Sequence, residues 1–155
     1  MNLVRRFLLF QSFMLWQGGF LFYTSFVVPV GTRVLGSAEG QGRITARVTE
    51  SLNICGLVAL AFMLWDARAA RSRTRLGLWI AMAACQAALH ILHAKMTALM
   101  DPTRSFVLDR DAFYGLHRIY LITSTVQWAA GLAWMVAALR GHFSPTQNND
   151  LRPLK

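Results

Sequence analysis

The stretch FLLFQSFMLWQGGFLFYTSFVVPV, Phe7–Val30, contains no charged side chain. A helix needs roughly 20 apolar residues to cross the hydrocarbon core of a bilayer, and this stretch supplies them in one run. Three further runs follow, at about Ile44–Trp65, Leu76–Met96 and Phe113–Leu139. Of the 155 residues, 55% are hydrophobic and 15% are charged, whereas soluble domains carry about 25% charged residues. The chain reads as an integral membrane protein. Short connections between the runs predict an all-α fold, an integral membrane four-helix antiparallel bundle over residues 1–140. Residues 141–155, GHFSPTQNNDLRPLK, read as a flexible polar tail. The chain shows no linker between domains and no internal repeat.

The formal net charge is +9, but its distribution excludes a nucleic-acid partner. The basic residues gather at the ends of the apolar runs and form no continuous basic face; the partner implied is the lipid bilayer. Arg5 and Arg6 precede the first run, Arg68, Arg71, Arg73 and Arg75 lie between the second and third, and Arg140, Arg152 and Lys155 follow the fourth. The third connection instead carries Asp101, Asp109 and Asp111, with Arg104 and Arg110. By the positive-inside rule both termini and the arginine turn face the cytoplasm, and the expected location is a bacterial inner membrane. Arg33, Arg43 and Arg47 in the first connection work against this orientation. The first run exceeds the 7–15 apolar residues of a signal peptide and is read as a span. Cys55 and Cys85 fall mid-span, as small packing residues.

Gly18 and Gly19 predict close approach of a neighbouring helix. Gln11, seven positions before Gly18, is expected on the same, inward face. Pro29 is expected to end the first helix, and GTRVLGSAEGQGR to form an irregular connection. Asp101-Pro102 reads as a turn. Lys95 reads as an interface anchor, and the aromatics Phe10, Trp16, Phe20, Phe22 and Trp128 as packing and lipid contacts.

Three runs also carry a polar stripe: Glu50/Asn53, Gln86/His90/His93 and His117/Ser124/Gln127. With a helical rise of 1.5 Å per residue, Glu50 and His90 lie about 9 Å and His93 about 5 Å below the outer surface, with His117 in the same slab. Polar side chains facing lipid are costly, so the stripes are expected to face one another. Glu50, His90, His93 and His117 then form a candidate site. Imidazole and carboxylate suit a transition metal, Zn, Cu or Fe. His117 with His90 or His93 could serve as axial ligands of haem b. Intramembrane His and Glu also suit a proton or ligand site. Against these stands a hydrogen-bonded network that ties the helices together, with Glu50 paired to Arg118, Arg47 or a histidine. No nucleophile triad, phosphate loop or GxGxxG motif is present. The function expected is non-enzymatic: a membrane subunit or small-ligand site, with a haem b electron carrier or a purely structural subunit as alternatives. The small size fits a homo-oligomer or a place in a larger membrane complex.

The segments WQGGFLFYTSFVVPVGTRVL, GQGRITARVTESLNICGLV and DAFYGLHRIYLITS resemble the four-helix membrane family that includes transmembrane protein 205. Gly18, Gly19, Phe26, Pro29, Phe113 and His117 match in kind. The family's early aromatic pair in the second span is replaced by Thr49–Asn53, and the His90/His93 pair is foreign to it. The resemblance implies a four-helix fold and supplies no catalytic residue.

Overall fold

The computed structural model describes residues 3–100 and 107–143. The expected turn at Asp101-Pro102 and residues 144–155 of the expected tail lie outside them. The helices are α1 (Leu3–Phe22), a π-helical segment (Tyr23–Val27), α2 (Val28–Leu35), α3 (Ala38–Ala69), α4 (Arg73–Ala98) and α5 (Arg110–Phe143). The first three run on without a break, so the chain makes four rods, each long and apolar enough to cross a membrane.

Pro29 does not end the first helix. Proline lacks an N–H, and its ring collides with the carbonyl four residues back. Here the turn ahead of it widens, and the Val28 N–H bonds the Tyr23 carbonyl five residues back. Such a bulge absorbs an awkward residue without breaking the rod, and the helix continues to Leu35. The expected irregular connection contracts to Gly36 and Ser37. Gly36 adopts φ 66°, the left-handed conformation that ends many helices. Ser37 is extended, and its hydroxyl caps α3 by accepting from the Gly40 N–H at 3.1 Å. Ser72 caps α4 through the Arg75 N–H at 3.4 Å, and Asp109 caps the start of α5 through the Ala112 N–H at 3.0 Å. An isolated bridge between Met100 and Val107 ties the two sides of the α4–α5 connection.

Successive rods are antiparallel: Arg5 meets Asp66, Trp79 meets the Leu60 carbonyl and Arg75 meets Ala138. α1 packs on α3, α3 on α4 and, most extensively, α4 on α5. The main core draws on every rod: Leu9, Phe13 and Trp16 from α1, Ala59, Leu60 and Met63 from α3, Met82 from α4, and Trp134 and Ala138 from α5. This fixes the rotation of α1. Leu9, Phe13, Trp16 and Gln17 are buried, following the helical period. Gln11 and Gly18 do share a face, but it is the exposed one. The inward glutamine of α1 is Gln17.

Candidate functional site

The buried polar side chains occupy three levels of the bundle. In the middle level Gln86 of α4 is 2% exposed. Its amide nitrogen donates to the Asn53 carbonyl of α3 at 3.3 Å and lies 3.5 Å from Asn53 Oδ1. Its amide oxygen accepts from Gln127 Nε2 of α5 at 2.8 Å. Gln127 also donates to the Met82 carbonyl at 3.1 Å, and the Tyr120 hydroxyl donates to Asn53 Oδ1 at 3.4 Å. His90 joins at the edge, with Nε2 3.4 Å from Gln86 Nε2. Amides and a phenol exchange hydrogen bonds here without ionising near neutral pH.

Glycines make room for these amides. A methyl group at Gly56 of α3 would lie 2.8 Å from Gln86 Oε1 and 2.9 Å from Trp16 Nε1. Gly131 of α5 leaves space for the Gln17 side chain in the same way. Gln86 therefore works at a point where α1, α3 and α5 all converge on α4. The level at the α2–α3 turn repeats the device, with Gln41 over Gly31. There Gln41 donates to the Tyr23 hydroxyl at 3.3 Å, and that hydroxyl donates to Thr45 Oγ1 at 3.0 Å.

The level at the α3–α4 turn is ionic. Asp66 of α3 is 1% exposed and Arg75 of α4 is 4% exposed. Arg75 donates to Asp66 Oδ2 at 2.8 Å and to the carbonyls of Ala137 and Ala138 of α5 at 3.4 and 3.0 Å. Arg5 of α1 approaches the other carboxylate oxygen at 3.6 Å. One carboxylate and two guanidiniums thus connect all four rods at this end.

The expected site residues take separate places. Glu50 is exposed and pairs along its own helix with Arg47 at 3.6 Å. His90 is exposed beside Gln86, and His93 is half-buried. His117 is half-buried and stacks on Phe113, with ring centroids 6.1 Å apart and planes 8° from parallel. Among the described residues no group of three or more His, Cys, Asp or Glu side chains is placed to share a metal ion. Residues at a similar height on neighbouring helices need not face one another, because positions along one helix point in different directions. Asn53 turns inward while Glu50, three positions earlier, turns out. Gly19 packs against Leu52, where a methyl group would sit 3.1 Å from Cδ2; Gly18 has nothing within 4 Å.

Asp66, Arg75, Gly56 and Gly131 are buried positions of the network that stripe reading misses. A usable signal existed for Asp66: it is the only acidic residue between Glu50 and Asp101 and stands beside the arginine-rich turn. The glycines carry no such mark, because their role depends on which side chain lies across from them. Comparison with protein-family models, with curated proteins and with solved structures gives no match.

Proposed function

We propose that this protein is a non-enzymatic structural subunit of a membrane, a sealed helix bundle whose interior amides fix how its four rods pack. The observation that carries this reading is Gln86, which bonds α3 and α5 and sits in the gap left by Gly56 beside Trp16 of α1. Small residues at helix crossings and polar side chains bonding across them are how membrane helices associate when lipid is as apolar as their own surfaces. The lipid bilayer surrounds such a subunit, and its apolar outer faces suit a homo-oligomer or a seat in a larger membrane complex. We orient it with both termini in the cytoplasm, because Arg5, Arg6, Arg68, Arg71, Arg73, Arg75 and Arg140 fall at the end that holds them. In a bacterium this points to the inner membrane, since outer-membrane spanning proteins are β-barrels. The resemblance to the transmembrane protein 205-like family stands as a proposed kinship and is compatible with a structural role.

The metal and haem readings lean on His90, His93, His117 and Glu50, and one comparison separates them from the structural one. Gln86→Leu should lower the stability of the purified protein in detergent by about 1–2 kcal/mol, since membrane hydrogen bonds average about 0.6 kcal/mol each and several are lost. The same variant should leave metal content and visible absorption at the wild-type level. If Gln86→Leu melts like wild type while His90→Ala, His93→Ala or His117→Ala strips a metal or a Soret band, the structural reading is wrong and a cofactor site takes its place.

A further inference from the structure

We propose that the arginine-rich end of the bundle is a binding surface for the headgroup phosphate of an anionic phospholipid. The charge there is one-sided. Arg5, Arg6, Arg68, Arg71, Arg73, Arg75 and Arg140 lie in or near this end, and among the described residues the acidic side chain there is Asp66. That carboxylate is 1% exposed and already engaged from two sides, by Arg75 at 2.8 Å and Arg5 at 3.6 Å. It therefore leaves Arg68, Arg71 and Arg73, all exposed in or beside the α3–α4 turn, unneutralised by any acid of the turn.

The backbone of that turn is a second, independent observation. The Arg71 N–H bonds the Arg68 carbonyl at 3.1 Å and the Ser72 N–H bonds the Ala67 carbonyl at 3.2 Å, which closes the end of α3. The residue at the pivot takes the left-handed conformation, and here it is Arg71, at φ 50°. Glycine fits that conformation without steric cost, whereas a long side chain does not. Packing does not call for Arg71, because its side chain is exposed. Strained backbone of this kind collects where a side chain serves recognition. Three exposed guanidiniums at one turn offer forked donors that match phosphate oxygens, and clusters of basic residues just outside a membrane span bind acidic headgroups. The surface stands apart from the amide level that carries the structural reading, so either can fail alone.

The test uses the full chain in a neutral maltoside detergent, titrated with phosphatidylglycerol, phosphatidylcholine or inorganic phosphate. Native mass spectrometry reads retained lipid, and thermal melting reads stability. Phosphatidylglycerol should be retained and should raise the melting temperature, while phosphatidylcholine and inorganic phosphate should do neither. Arg71→Gly should melt higher than wild type without lipid, because the turn relaxes, and yet bind phosphatidylglycerol about fivefold more weakly, the worth of one arginine at an anionic surface. Arg68→Ala/Arg73→Ala should weaken it by about twenty-five-fold on the same scale. Equal retention of the two lipids, an equal shift with inorganic phosphate, or unchanged phosphatidylglycerol affinity in both variants would overturn the proposal.

Discussion

Replacing Asp66 with alanine tests whether the ionic level holds the bundle together. In the native chain Arg75 has Asp66 Oδ2 at 2.8 Å and two α5 carbonyls at 3.0 and 3.4 Å. Removing one member of a buried ion pair costs about 3–5 kcal/mol, because the other charge is left without its partner. The two carbonyl bonds survive the change, and hydrogen bonds to a charged group are worth about 1.5–3 kcal/mol each. The loss should therefore fall near the low end, about 3 kcal/mol. Arg75→Met alone should cost a similar amount, since Asp66 would keep only Arg5, at 3.6 Å. The double variant Asp66→Ala/Arg75→Met removes both charges, and an apolar replacement of a buried pair is often neutral. It should lie closer to wild type than either single variant, with a coupling energy of at least about 2 kcal/mol. Reversible unfolding in mixed micelles, followed by the fluorescence of buried Trp16 and Trp134, measures all four species. Single variants within about 0.5 kcal/mol of wild type, or a double variant whose loss equals the sum of the two, would refute the reasoning.

Other positions give sharper contrasts. Gly56→Ala pushes a methyl group to 2.8 Å from Gln86 Oε1 and should destabilise by about 1–3 kcal/mol; Gly18→Ala, with nothing within 4 Å, should stabilise by up to about 1 kcal/mol through helix propensity. The same unfolding assay reads both, and equal effects would remove the close-approach argument for Gly56. Glu50→Gln should change stability by less than about 0.5 kcal/mol, because the Arg47–Glu50 pair is exposed. Raising the salt concentration should leave the Asp66–Arg75 coupling nearly unchanged, as buried pairs are weakly screened; a coupling that disappears in salt would mean the pair is wet.

Four apolar runs separated by short polar connections were enough to read the bundle, because lipid forces every span to meet the same length and apolarity. The ends of the elements were harder. Pro29 carries a strong stop signal, but a single widened turn over Tyr23–Val27 accommodates it. Glycines suggested a loop where only Gly36 needs to leave the helix. For the site, Asn53, Gln86, Ser124 and Gln127 of the polar stripes do turn inward. Direction could not be read at the edges of a stripe. Adjacent stripe members differ by tens of degrees around the axis, enough to put Glu50 and His90 outside while Asn53 and Gln86 stay within. In α1 the choice between Gln11 and Gln17 turned on which aromatic residues the core takes up. That depends on Trp134 and Met63 across the bundle rather than on α1 itself.

The arrangement of the three levels bears on what the bundle can do. Between Asp66 and Gly56 the axis of α3 advances about 15 Å, and the space along it is filled from all four rods. Leu9, Phe13, Leu60, Met63, Met82 and Trp134 meet there, and Met63, Met82 and Trp134 are fully buried. A proton relay needs donors and acceptors within hydrogen-bond reach of one another, about 3 Å. The only polar side-chain atom in this named set is the indole nitrogen of Trp134, which is a donor and cannot pass a proton on as an acceptor. Packed, mostly apolar side chains lie between the amide level and the ionic level. The ionic level fastens one end of the bundle and the amide level its middle, with packed side chains between them. The buried ion pair sits near one end of the bundle, where water and headgroups can share its field, while the uncharged amides occupy the middle, where an ion would cost most.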